Sequence, residues 1–179
     1  METGASVSRG SLYYREGKGE LRRVMPGFFV PEEAALSDPN LMQWIYARQP
    51  AAVMNLVSAL SFHGLTTQIP AYLSIALPRG QVMPKNFVTP VRVWYTKREW
   101  IFCGVDSLTG DYGPYRVTSP ERTLVDCFRY RNKIGLDIFL EALQLGIGER
   151  RYDLNKIAEL SDVFKVSTGI KPYIKTAVV

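Results

Sequence analysis

The chain has 179 residues, of which 46% are hydrophobic and 22% charged, with a formal net charge of +5. That length carries one full domain and a small appendage, and the apolar share excludes a disordered chain. No apolar run approaches the roughly 20 residues that cross a bilayer, and METGASVSRG lacks a signal-peptide stretch.

From the N-terminus, Ser8 reads as the cap of a helix through Ser11, Leu12 and Arg15, which Gly17 and Gly19 then break. LRRVMPGFFV follows as a hairpin turning at Pro26-Gly27, and Pro31-Glu32-Glu33 reads as an exit linker. The next helix is expected to take Asp38 as N-cap and Pro39 at N1, and to run until Pro50. Another covers residues 55–63, with Gly64 just past its end. Strands are expected at 71–77, at 91–95 and at 100–104, and a loop at 106–114, where Asp106, Gly110 and Gly113-Pro114 cluster.

Tyr115-Arg116-Val117 then reads as a strand running into the helix SPERTLVDCFRY. Ser119 is its cap, Pro120 its first residue, and Glu121 faces the positive end of the helix dipole. Further helices are expected over 135–145, from Asp153 onward, and around Tyr173 in the tail 166–179. The fold class is α+β: a small mixed sheet packed against helices, with a helical C-terminal third and a partial winged-helix segment in front. Residues 1–33 form that segment and residues 34–179 the body.

No GxSxG, P-loop, GxGxxG or HExxH pattern occurs, so the residues call for no catalytic site, cofactor or metal. Cys103 and Cys127 supply neither a disulfide framework nor a metal-ligand spacing, and reduced thiols fit a cytoplasmic location. The single histidine, His63, stands at a helix end, where it serves the last carbonyls and the dipole rather than catalysis. Arg122 and Asp126 lie four apart on one helix face. They form either an intrahelical charge ladder or, with Arg122 reaching outward, a lock between helix and sheet.

The first segment offers Ser8, Arg9, Ser11 and Arg15 on a helix, then Lys18, Arg22 and Arg23 around a hairpin. This pattern fits a recognition helix with its wing, and fits an ordinary basic hairpin equally well. In the C-terminal third, Arg129, Arg131, Lys133, Arg150 and Arg151 flank apolar helices, either as a partner surface or as a solvated face.

Three stretches together resemble the AbiEi family: VSRGSLYYREGKGELRRVMPGFFV, NLVSALSFHGLTTQIP and VTSPERTLVDCFRY. The resemblance implies the antitoxin and transcriptional repressor of a type IV abortive-infection (phage-defence) toxin–antitoxin system. Its implied partners are operator DNA and a nucleotidyltransferase-like toxin, opposed without a stable complex, and no membrane. Only seven residues precede Ser8, so the winged helix is expected to be truncated to its recognition helix and wing, with weak DNA binding. Toxin antagonism is expected to belong to the body and to survive removal of residues 1–33. The competing readings are a DNA-binding regulator with a ligand-sensing body and a nucleic-acid-processing enzyme.

Overall fold

A computed structural model describes residues 8–178; the last residue of the expected tail helix lies outside them. The chain begins with α1 (Arg9–Gly17) and the antiparallel pair β1 (Leu21–Met25) and β2 (Phe28–Pro31). Ser8 accepts a hydrogen bond from Ser11 N at 3.2 Å, which satisfies one of the open donors at the helix start. The hairpin places Val24, Met25 and Val30 in the same buried cluster as Leu41, Trp44 and Ile75. Val88 N donates to Val24 O at 2.9 Å, so the first segment is tied to the body by packing and by backbone.

The body holds α2 (Asp38–Arg48), β3 (Val53–Met54), α3 (Leu56–Phe62), β4 (Leu73–Pro78) and β5 (Val91–Thr96), followed by β6 (Val105–Gly110) and β7 (Gly113–Thr118). The helical third comprises α4 (Pro120–Arg129), α5 (Arg131–Ile134), α6 (Leu136–Gly148), α7 (Leu154–Val163) and α8 (Ser167–Val178). The sheet order is β5-β4-β3-β7-β6, with β3–β7 and β4–β5 parallel and β3–β4 and β6–β7 antiparallel.

Both faces of this sheet are covered. Leu73, Ile75, Leu77, Tyr115 and Val117 belong to the cluster with α2 and the hairpin. Trp94 belongs to the second cluster, with Leu60, Leu124, Phe128, Phe139 and Phe164. Burial on both sides explains why every residue of β4 is buried despite its alternation. The one buried hydroxyl there, Ser74, is satisfied: its Oγ donates to Asn55 Oδ1 at 3.0 Å and its N–H to Ser58 Oγ at 3.0 Å.

Four expectations are corrected. The cap of α2 is Ser37, whose Oγ accepts from Asn40 N, so Asp38 and Pro39 occupy the first two helical positions. Residues 100–104 form no strand: a single 3-10 turn, Arg98–Trp100, leads through further turn residues to Gly104 at φ +61°. The expected loop at 106–114 is instead the hairpin β6–β7, turning at Asp111-Tyr112. Gln43 on α2 accepts from Tyr112 N at 2.7 Å and pins that turn, a long-range contact that local turn-forming residues do not disclose. The helix read at 135–145 also runs on to Gly148, and the short α5 precedes it.

The helix α4 starts as its residues require. Ser119 Oγ accepts from Arg122 N at 3.3 Å, Pro120 holds the first position, and Leu124 is fully buried. Ser119→Ala is expected to cost about 1 kcal/mol and Leu124→Ala about 2–5 kcal/mol in urea denaturation. Neutral results for both would contradict the burial of this helix.

Candidate functional site

Arg122 and Asp126 are 1% and 2% exposed, one turn apart on α4, with Nε donating to Asp126 Oδ2 at 2.8 Å. The Arg122 Nη1 group also donates to the backbone carbonyls of Trp100, at 3.0 Å, and Cys103. The guanidinium lies over the Phe164 ring, 3.9 Å from its centroid. One cation therefore joins α4, the turn after β5 and α7. The pair is intrahelical, and Arg122 also reaches outward, to the turn after β5 and not to the sheet.

The neighbouring residues extend this junction. Glu121 accepts from Ser119 Oγ at 3.0 Å and from Asp153 N at 3.2 Å, linking the start of α4 to the start of α7. Gly104 lets the turn close: a Cβ there would stand 2.9 Å from Arg122 Cβ. His63 Nε2 donates to Thr118 O at 2.7 Å, joining the end of α3 to the end of β7 rather than to its own helix. Arg151 donates to His63 O at 3.0 Å. Glu141, which sequence reasoning passed over, accepts from the hydroxyls of Thr66 and Thr67 and from Thr67 N, which holds its carboxyl below the usual range.

Electrostatics follow from burial. Asp126 is pushed above the usual carboxylate range by desolvation, against the pull of Arg122 beside it. Burial also raises the Cys127 thiol well above its ordinary value, which keeps it protonated and unreactive. His63 is shifted down, chiefly by burial.

The basic residues of the first segment are dispersed over α1 and the hairpin. Arg15 pairs with Glu20 at 2.9 Å, Arg22 with Glu32 at 3.5 Å and Arg23 with Glu16 at 3.9 Å. Lys18 lies over the Tyr14 ring at 4.8 Å, while Arg9 and Ser11 are exposed on α1. Of the C-terminal cations, Arg129 covers Trp100 at 4.8 Å and Arg131 donates to Phe128 O at 2.8 Å. Arg151 pairs with Glu149 at 3.4 Å, whereas Lys133 and Arg150 are exposed without an ion pair among the described residues. An apolar groove of about 670 Å³ separates α6 from α8, lined by Leu140, Leu143, Ile147 and Tyr173. Among the described residues, no group of three or more His, Cys, Asp or Glu could hold a metal ion, and no helix is long and apolar enough to cross a membrane.

The model of the AbiEi antitoxin C-terminal domain family matches residues 51–168, the span that holds the five-stranded sheet and the Arg122 junction. The chain belongs to the AbiEi antitoxin family. Among solved structures, this AbiEi-family chain is similar to the RV2827C protein from Mycobacterium tuberculosis, at a TM-score of 0.62 and 15% identity. That likeness covers 94% of this chain and 68% of the other, and it is a likeness of fold. No curated protein matches the chain.

The junction generates two expectations. Arg122→Ala leaves a buried carboxylate and two carbonyls without their donor, and is expected to cost roughly 3–5 kcal/mol in urea denaturation. Replacing both charges, as Arg122→Met with Asp126→Leu, should restore part of this loss but not all, because the Trp100 and Cys103 carbonyls still lack a donor. Complete recovery would mean that the backbone contacts contribute nothing.

For His63, the unfolded chain takes up the proton near the ordinary 6.5, and the folded chain only below it. The stability it contributes is therefore full above 6.5 and is lost as pH falls through the folded value. His63→Gln should flatten the pH dependence of the melting temperature below neutrality; an unchanged slope would refute this assignment.

Proposed function

We propose that the chain is the antitoxin of a type IV toxin–antitoxin system. It counteracts a nucleotidyltransferase-like toxin without a stable complex, and it represses its own operon through α1 and the β1–β2 hairpin. The observation that carries the reading is the antitoxin-domain match over residues 51–168. Co-expression with the cognate nucleotidyltransferase-like toxin tests it: growth should be restored, and unrelieved toxicity would overturn it.

The DNA-facing part of the proposal rests on the exposed cations of the first segment. Arg9 and Lys18 make no ion pair among the described residues and are free to meet phosphates, whereas Arg15, Arg22 and Arg23 must first give up a carboxylate. The body, with Arg129, Arg131, Lys133, Arg150 and Arg151, is the toxin-opposing part in this reading. Since the hairpin shares its core with α2, surface substitutions separate the two roles more cleanly than excision of residues 1–33. Arg9→Ala with Lys18→Ala should lower the salt dependence of operator binding by a log–log slope of about 2, while leaving toxin antagonism intact. Loss of antagonism in that variant would refute the division of roles.

A further inference from the structure

The two edges of the five-stranded sheet differ. On one side, β6 is the outer strand and carries Asp106, while α2 packs near its hairpin through Gln43. On the other, among the described residues β5 pairs only with β4. Thr96 O accepts from Arg79 N and Pro90 O from Leu73 N, so these two residues direct their carbonyls towards β4. Strand alternation then turns the N–H and C=O groups of Val91, Val93 and Tyr95 to the open side. A row of unpaired backbone groups is a template for another strand.

The charge along this edge is predominantly positive. Arg79, Lys85, Arg92, Lys97 and Arg98 are all exposed, and no acidic residue occurs anywhere from residue 39 to residue 98. The one ion pair they make among the described residues is Lys97 with Glu99, at 3.5 Å. Two of these cations are held in place rather than left to swing in solvent. The Arg92 guanidinium stacks on Trp94 at 4.4 Å and on Tyr72 at 5.4 Å, and donates to Tyr72 Oη at 3.1 Å. Lys97 lies over Trp100 at 4.6 Å. A stacked guanidinium keeps its outer N–H groups fixed for a carboxylate.

From these observations we infer that the free edge of β5 is a docking strip for an acidic, extended segment of a partner protein, which joins the sheet as a sixth strand. Main-chain bonds to Val91, Val93 and Tyr95 supply the pairing, and Arg92, Lys97 and Arg98 select carboxylates on the added strand. A few edge cations would suffice to prevent self-pairing, but that role does not require the stacking of Arg92 on Trp94 and Tyr72. The inference is independent of the antitoxin reading, since it concerns a surface that any partner of this chemistry could use.

The test uses the full chain and a fluorescently labelled peptide that alternates valine and glutamate. Fluorescence anisotropy should show saturable binding that weakens with salt, and the backbone amide NMR signals of Val91–Thr96 should shift on titration. Arg92→Glu with Lys97→Glu should weaken binding by roughly tenfold or more, since two attractive contacts become repulsive. Tyr95→Pro, which removes an outward donor and leaves the β4 ladder intact, should weaken it while a thermal melt verifies the fold. Should Tyr95→Pro fail to fold, the charge-reversed variant and the amide shifts decide alone. Equal binding of a valine–lysine peptide, amide shifts confined to other strands, tighter binding of duplex DNA at the same residues, or self-association through β5 would each overturn the inference.

Discussion

A guanidinium taken out of water is costly unless each of its donors finds an acceptor, and Arg122 meets that demand in a way that organises its surroundings. Its Nε takes the carboxylate one turn ahead on α4, its Nη1 takes two carbonyls of the turn after β5, and its plane rests on Phe164 of the α7 end. Three segments distant in sequence are thereby held at one point. The close approach of Gly104 to Arg122 Cβ belongs to the same constraint, because a side chain there would collide with the arginine stem. The turn at 98–104 thus takes its shape from the arginine it surrounds.

Around this point the molecule is layered. The sheet buries one face under α2 and the first hairpin and the other under the C-terminal helices. Polar cross-links close the layers at their margins: Gln43 to the β6–β7 turn, His63 to Thr118, and Glu141 to Thr66 and Thr67. The bonds of Gln43 and His63 satisfy part-buried backbone groups that packing would otherwise leave unpaired, whereas the Glu141 bonds to Thr67 lie at the exposed margin. The family match spans the five-stranded sheet and the helices through α7, whereas α1, the hairpin and α2 lie outside its residues 51–168.

The basic residues of the molecule are not equally available. The cations of the first segment are partly neutralised by Glu16, Glu20 and Glu32. Several of those in the C-terminal third are committed to internal carbonyls and rings. Basic residues that look alike in the sequence therefore differ in how readily they meet an anionic partner. A cation already bonded inside the fold must lose that bond first.

The local features of this chain were legible from its residues alone. Ser8, Ser119 and Asp153 cap the helices they precede, Pro26-Gly27 turns the first hairpin, and Leu124 and Phe128 are buried on α4. Capping, turn chemistry and apolar spacing act within a few residues, so the order of residues determines them. The family resemblance rested on the same short stretches. The tertiary structure decided the rest: that 105–110 is a strand, that 100–104 is not, that His63 serves Thr118, and that Arg122 grips the turn as well as its own helix. The His63 and Arg122 contacts depend on partners 19 or more residues away, brought together only when the sheet assembles and its two faces are covered, and β6 takes its form from β7, whose residues stand up to 13 positions on. Pairing across such distances overrides local propensity, and no local pattern records it.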